Sequence, residues 1–299
     1  MKPPVDYQRR MLLGTTAAGM LLTMLPTSAA APKPLRVAVA GGAITEVVYA
    51  LDAGAMLIGS DTTSTYPAAA LALPKMGYQR ALSAEGVLSL RPDLLLASAE
   101  AGPPTAIQQI AAAGVRVITL SERHDVQSVR DKISGSAKAL DLTTRGDRLL
   151  QTFDNDWLAA MTAIQAQRQQ QSGKPPPRVL FILSNSGTQA MVAGRDTAAD
   201  AMIRYAGAVN ALGGEDGFKG YKPLTAESAI AAAPDVLMTT SEGLAAMGGL
   251  AQLLKMPGLA LTPAARNRRV IADMDALLLL GFGPRLPAAL RRLSAQLTA

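Results

Sequence analysis

Two thirteen-residue segments of this chain echo one another, and the echo constrains the fold more than any other feature. Residues 83–95 read SAEGVLSLRPDLL and residues 225–237 read TAESAIAAAPDVL. Each gives Ser or Thr, Ala and Glu, then a short apolar helix, then Pro-Asp and a buried strand. The hydroxyl suits an N-cap, and the acid suits the first turn beside the positive end of the helix dipole. Pro-Asp breaks the helix ahead of the strand. One such unit in each half predicts two similar halves.

The surrounding pattern agrees. Apolar runs at 35–40 (LRVAVA), 56–61 (MLIGSD), 93–98 (DLLLAS) and 116–121 (RVITLS) alternate with helical stretches. The pattern restarts at 178–184 (RVLFILS) and continues through 236–241 (VLMTTS) and 269–274 (RVIADM). Short buried strands between helices predict parallel α/β layers. Between the halves, from about Thr143 to Gln171, no proline interrupts, and Leu149, Leu150, Phe153, Trp157, Met161 and Ile164 recur at helical spacing. This predicts one helix on the order of 40 Å long, stopped by the glycine and three prolines of QAQRQQQSGKPPP. The expected architecture is α/β: two Rossmann-like lobes joined by one long α-helix, with a ligand cleft between the lobes. The expected boundaries are an export signal at 1–30, a first lobe at 31–142, the linking helix at 143–171 and a second lobe at 172–299.

The export signal rests on Lys2, Arg9 and Arg10, then the apolar residues 11–25 (MLLGTTAAGMLLTML), then Pro26 and a small-residue stretch that places cleavage near Ala30. The apolar run is shorter than the ~20 residues a membrane span requires. Arg9-Arg10 leaves both twin-arginine and general secretion open. Removing residues 1–30 leaves 26 basic and 22 acidic residues, 29 less three and 23 less one. That mild positive charge is dispersed and interleaved with few aromatics, which argues against nucleic acid as a partner.

Absences narrow the chemistry. The chain has no cysteine and one histidine, His124. Disulfides, thiolate metal sites, thiol nucleophiles, a lipidated cysteine and zinc sites built on several imidazoles are therefore excluded. A Ser-His-Asp hydrolase would have to use His124, and SNSG at 184–187 is not a GxSxG elbow. Gly41-Gly42 has neither GxxxxGK(S/T) nor a full GxGxxG around it and reads as a tight strand-to-helix turn. A secreted α/β enzyme stays as a distant alternative to a binding protein.

The paired (S/T)AE…PD(L/V)L units, the two lobes and the linking helix resemble the periplasmic substrate-binding proteins of cobalamin, ferric-siderophore and hemin ABC importers. The segments GGAITEVVYALDAG (41–54), GSDTTSTYP (59–67), GYQRALSAEGVLSLRPD (77–93), GRDTAAD (194–200), GYKPLTAES (220–228) and MDALLLLGFGPR (274–285) are most similar to the hemin-binding branch. The resemblance implies a non-catalytic monomer that binds hemin in the periplasm and passes it to an inner-membrane permease. The same scaffold carrying cobalamin or a ferric siderophore is the nearest alternative.

Ferric heme needs an axial donor, and without cysteine the choices are His, Tyr or Met. Of the tyrosines after the signal, Tyr49 and Tyr205 fall in helical patterns, while Tyr66, Tyr78 and Tyr221 fall in expected loops. Tyr66 follows a first-lobe strand, where α/β lobes point loops at a crevice, and Pro67 restricts its backbone. The resemblance places the axial tyrosine at Tyr66. A free phenol ionises near pH ~10, so the ferric charge must favour the phenolate. Some relatives carry an arginine just after this tyrosine; here Ala68, Ala69 and Ala70 follow, which leaves Arg80 and Arg195 as expected supporting cations. Tyr78, Tyr221 and Lys222 are expected to line the porphyrin or meet its propionates, and Met274 and Phe282 to pack on its apolar face. His124 follows a first-lobe strand as a possible second donor. Some relatives stack two hemes using a second-lobe histidine, which is missing here, so the expected load is one heme. Glu85 and Glu227, equivalent acids of the two repeat units, are the expected docking contacts for the permease.

Overall fold

The computed structural model describes Met1 and residues 34–183, 190–215 and 217–298. The expected export signal lies outside the described residues. The segment Leu35–Ala299 forms one compact unit.

The first lobe is a four-stranded sheet of β1 (Val37–Ala40), β2 (Leu57–Ser60), β3 (Leu94–Ser98) and β4 (Arg116–Leu120), in the order β2-β1-β3-β4 with every pair parallel. Every residue of β1 and β3 is buried, which is why both read as continuous apolar runs: helices cover both faces of a parallel sheet. Those helices are α1 (Gly42–Ala50), α2 (Ala84–Ser89), α3 (Pro104–Ala112) and α4 (Val126–Ala139). Then α5 (Thr143–Gln170) runs 28 residues, roughly 40 Å at 1.5 Å per residue. Phe153, Ala160 and Ile164 are its buried stripe. It packs on α4 at one end and on the C-terminal helix at the other, and Trp157 meets the second-lobe Tyr205 edge to face at 5.1 Å.

The second lobe holds β5 (Arg178–Leu183), β6 (Met191–Ala193), β7 (Val209–Asn210), β8 (Tyr221–Pro223), β9 (Val236–Met238) and β10 (Val270–Ile271). The order β10-β9-β5-β6-β8 is parallel from β10 to β5 and antiparallel from β5 to β8, with β7 parallel to β5. The sequence pattern predicts the parallel part; β6 and β8 are short and partly exposed, and carry too little alternation to announce themselves. Its helices are α6 (Ala198–Tyr205), α7 (Ala226–Ala232), α8 (Ser241–Ala246), α9 (Leu250–Leu253), α10 (Pro263–Arg266), α11 (Ala276–Leu280) and α12 (Leu286–Thr298).

The echoed units behave alike. Ser83 Oγ accepts from Gly86 N at 3.3 Å to start α2. Thr225 Oγ1 accepts from Ser228 N, and Ser228 Oγ accepts from Thr225 N, each at 3.1 Å, which closes a capping box on α7. One apolar core runs through both lobes, from Val37, Ile44 and Val47 through Phe282 and Leu286 to Val179 and Phe181. Two smaller cores belong to single lobes. Sliding the lobes apart would open that shared core to water, so the interface resists wide hinge motion.

Candidate functional site

The site begins where β1 and β2 end. Gly41 takes φ 144° and Gly42 opens α1. A Cβ on Gly42 would lie 2.4 Å from the Thr63 carbonyl oxygen, so only glycine lets the following loop come this close. That loop hangs on Asp61, which is fully buried. Its Oδ1 accepts from Gly41 N at 2.9 Å and Ser64 Oγ at 2.8 Å; its Oδ2 accepts from Thr63 N at 2.8 Å and Thr63 Oγ1 at 2.6 Å. Thr63 Oγ1 in turn accepts from Gly42 N at 3.0 Å.

Lys75 braces the loop from its far side. Its ammonium donates to Ser60 Oγ at 2.9 Å and to the carbonyls of Ser64 and Ala70 at 3.0 Å each, using all three donors of the group. Burial pushes this amine down, and nearby Asp61 opposes the shift. Between the two braced carbonyls stands Tyr66, with 45% of its surface exposed.

The guanidinium carbon of Arg285 sits 3.7 Å from the centre of the Tyr66 ring. Arg285 comes from the second-lobe turn ahead of α12, and it pairs with Glu46 of α1. Burial pushes the Glu46 carboxyl up, with the Arg285 hydrogen bond and charge pulling the other way. Burial likewise opposes charge on Arg285, but Glu46 outweighs it and the guanidinium is held more firmly protonated.

Beside Thr63 and Thr65 opens a cleft of about 650 Å³ between the lobes. First-lobe walls are Gly41–Ile44, Thr62, Tyr78–Arg80, Glu100, Glu122 and His124; second-lobe walls include Thr197, Tyr221, Leu277 and Leu280. Two of its first-lobe acids are paired within the protein, while the second-lobe Glu242 is exposed and accepts from Ala276 N at 3.1 Å. Arg80 pairs with Glu100. Lys132, with no exposed side-chain surface, reaches Glu122 at 3.0 Å, and Ser98 Oγ donates to the same carboxylate at 2.7 Å. Burial lowers the His124 imidazole, with Glu100 and Glu122 opposing. Burial raises the Tyr221 phenol, partly offset by its hydrogen bond with Thr197, so Tyr221 resists becoming a phenolate.

The structure thus brings Tyr78, Arg80 and Tyr221 to the cleft wall; Tyr66 is not itself a lining residue but directly follows Thr65, which is. Besides Tyr66, four expected residues do not line it. Lys222 follows Tyr221 on β8, and strand alternation turns it to the opposite face, where it covers the Phe218 ring at 4.8 Å. Arg195 turns into its own lobe and donates to the Gly217 carbonyl at 3.0 Å. Met274 and Phe282 are 1% and 2% exposed and belong to the shared core. The apolar wall comes instead from Leu277 and Leu280, three apart on α11 and therefore on one face; that spacing is visible in the sequence. The cation beside Tyr66 is Arg285, not Arg80 or Arg195. It closes MDALLLLGFGPR, but no local spacing ties it to a tyrosine in the other lobe. Glu85 and Glu227 are exposed in the first turns of α2 and α7.

Two α/β lobes with a shared core, a spanning helix and a cleft lined from both sides define a solute-binding protein. The chain belongs to the periplasmic binding protein family, whose pattern it matches over residues 37–277. Similar solved structures include the periplasmic heme-binding protein BhuT in complex with two hemes. It is 60% identical, with a TM-score of 0.81 over 88% of this chain and 97% of that one. The apo form of the periplasmic heme-binding protein RhuT from Roseiflexus sp. RS-1 is 41% identical, with a TM-score of 0.83 over 89% of this chain and 98% of that one. The uncharacterized ABC transporter substrate-binding lipoprotein YvrC of Bacillus subtilis is 28% identical over 81% of this chain and 73% of its own length.

Proposed function

We propose that this chain is an exported substrate-binding protein that captures ferric heme in the interlobe cleft, with Tyr66 as the axial donor, and delivers it to an ABC importer permease. The observation that carries the reading is the Arg285 guanidinium 3.7 Å over the Tyr66 ring. A cation over the ring face at that distance is a partner for the π-system, and it lies beside the oxygen donor that ferric iron in a porphyrin requires from the protein. Tyr66 is also exposed enough to be reached, whereas burial opposes the ionisation of Tyr221.

Among the described residues no cluster of three or more His, Asp or Glu side chains is placed to hold a bare metal ion. Iron inside a porphyrin needs only an axial donor from the protein. Leu277 and Leu280 offer an apolar wall for the macrocycle, and Arg80, Tyr78 and Tyr221 offer polar groups for its propionates. The 60% identity to a protein solved with heme supports the ligand class. Glu85 and Glu227 are proposed as the acids that meet basic residues of the permease, and residues 1–30 as a cleaved signal.

Titration of the purified protein with hemin tests the reading. The expected result is a Soret shift with tyrosinate-type charge-transfer bands, lost in Tyr66→Phe. A spectrum unchanged by Tyr66→Phe overturns the ligand assignment; no binding at micromolar hemin, with cobalamin binding instead, overturns the ligand class. The titration end point gives the number of hemes, one being expected.

A further inference from the structure

The side chain of Glu46 is 4% exposed, and Arg285 Nη2 is its hydrogen-bond partner. The two residues come from different lobes, Glu46 from α1 and Arg285 from the turn before α12. Room for the carboxylate is made by Gly283, where a Cβ would lie 2.9 Å from Glu46 Oε2. Other charges acting on Glu46 are Asp275 and Lys132. Arg285 Nε is buried without a hydrogen-bond partner, so its guanidinium is oriented by two contacts, the Glu46 carboxylate at Nη2 and the Tyr66 ring at its face.

A long side chain with several rotatable bonds is not held over a ring without cost, because fixing its rotamers opposes the contact. A buried carboxylate that accepts from one end of the guanidinium removes most of that freedom beforehand. We propose that Glu46 is a positioning residue, which holds the second-lobe Arg285 over the ring of the first-lobe Tyr66 and so sets how strongly Tyr66 grips iron. This rests on the heme reading above. It also makes the grip depend on lobe register: a permease that shifts the lobes would draw Arg285 away from Tyr66 and weaken the iron–phenolate bond.

Two measurements test it. In the hemin-free protein, stacking on Tyr66 moves the Arg285 Nε–H proton resonance by ring current. Glu46→Ala is expected to abolish that displacement, and Glu46→Gln, which keeps an acceptor oxygen, to retain it. In the hemin complex, Glu46→Ala is expected to speed hemin dissociation to a scavenger by about ten-fold, within the range of a cation–π contact, and to move the charge-transfer band. In an Arg285→Ala background the same change is expected to do neither. Glu46→Met replaces Glu46→Ala if the latter does not fold. A resonance undisplaced in the unmutated protein, a displacement that survives Glu46→Ala, or equal acceleration in both backgrounds overturns the proposal. The first measurement needs no hemin, so a failed heme assignment, seen as a spectrum that survives Tyr66→Phe, is distinguishable from a failed role for Glu46.

Discussion

Removing Arg285 leaves Glu46 buried without its counter-ion, and the cost should depend on pH in a defined direction. In the folded protein, burial raises the Glu46 carboxyl while Arg285 lowers it. Arg285→Ala deletes the opposing influence, so the carboxyl rises further. A carboxyl raised by folding contributes stability below its unfolded pKa and loses it as pH rises through the folded value. The penalty of Arg285→Ala should therefore be small at pH 5, where the stranded carboxyl takes up a proton, and larger at pH 8, where it must be buried as an anion. Breaking a buried pair by removing one partner costs about 3–5 kcal/mol. Arg285 is 25% exposed at its side chain, so the lower end, about 3 kcal/mol, is expected at pH 8. The loss should shrink by about 1–2 kcal/mol at pH 5, since a tenfold change in proton affinity is worth roughly 1.4 kcal/mol. Urea unfolding of both proteins at the two pH values measures this, and taking differences between them cancels titrations they share. Equal losses at pH 5 and pH 8, or a larger loss at pH 5, would refute the reasoning.

Lys75→Met should leave the Ser64 and Ala70 carbonyls without their shared donor. Discounted for exposure, we expect a loss of about 1–2 kcal/mol in urea unfolding and weaker hemin binding. Gly42→Ala places a methyl 2.4 Å from the Thr63 carbonyl and 2.7 Å from Leu277. Backbone must move, and we expect about 2–3 kcal/mol of destabilisation with reduced hemin affinity in the same titration. Glu85→Ala with Glu227→Ala should lower hemin uptake by cells while leaving the hemin spectrum and affinity of the isolated protein unchanged.

Much of the fold is legible along the chain because its causes are local. Buried strands on a parallel sheet must be apolar on both faces, which makes β1, β3 and β5 stand out as runs. Capping hydroxyls and Pro-Asp breaks fix α2 and α7, and the long amphipathic stretch without proline fixes α5. Residues of the candidate site are less legible. Tyr66, Tyr78, Arg80 and Tyr221 follow strands or turns that end at the cleft, so their reach can be anticipated. Lys222, Arg195 and Phe282 show the limit, since each sits beside a residue that lines the cleft while facing elsewhere, and Met274 lies two residues from the lining Ala276. Which of two neighbours faces a ligand depends on strand phase and helix rotation, and these are set by packing.

By itself the sequence determined that this chain has two echoed α/β halves on one helix, and that a heme donor would have to come from a few tyrosines, one histidine or methionine. Tertiary structure decided the rest. Asp61 and Lys75 fix the loop that presents Tyr66 through hydrogen bonds closed only when β1, β2 and the loop meet. Arg285 and Glu46 come from opposite lobes, and a shared apolar core brings them together beside Tyr66. Charges act through space, with energies that depend on distance and burial and not on separation along the chain, so no motif could have disclosed that pair.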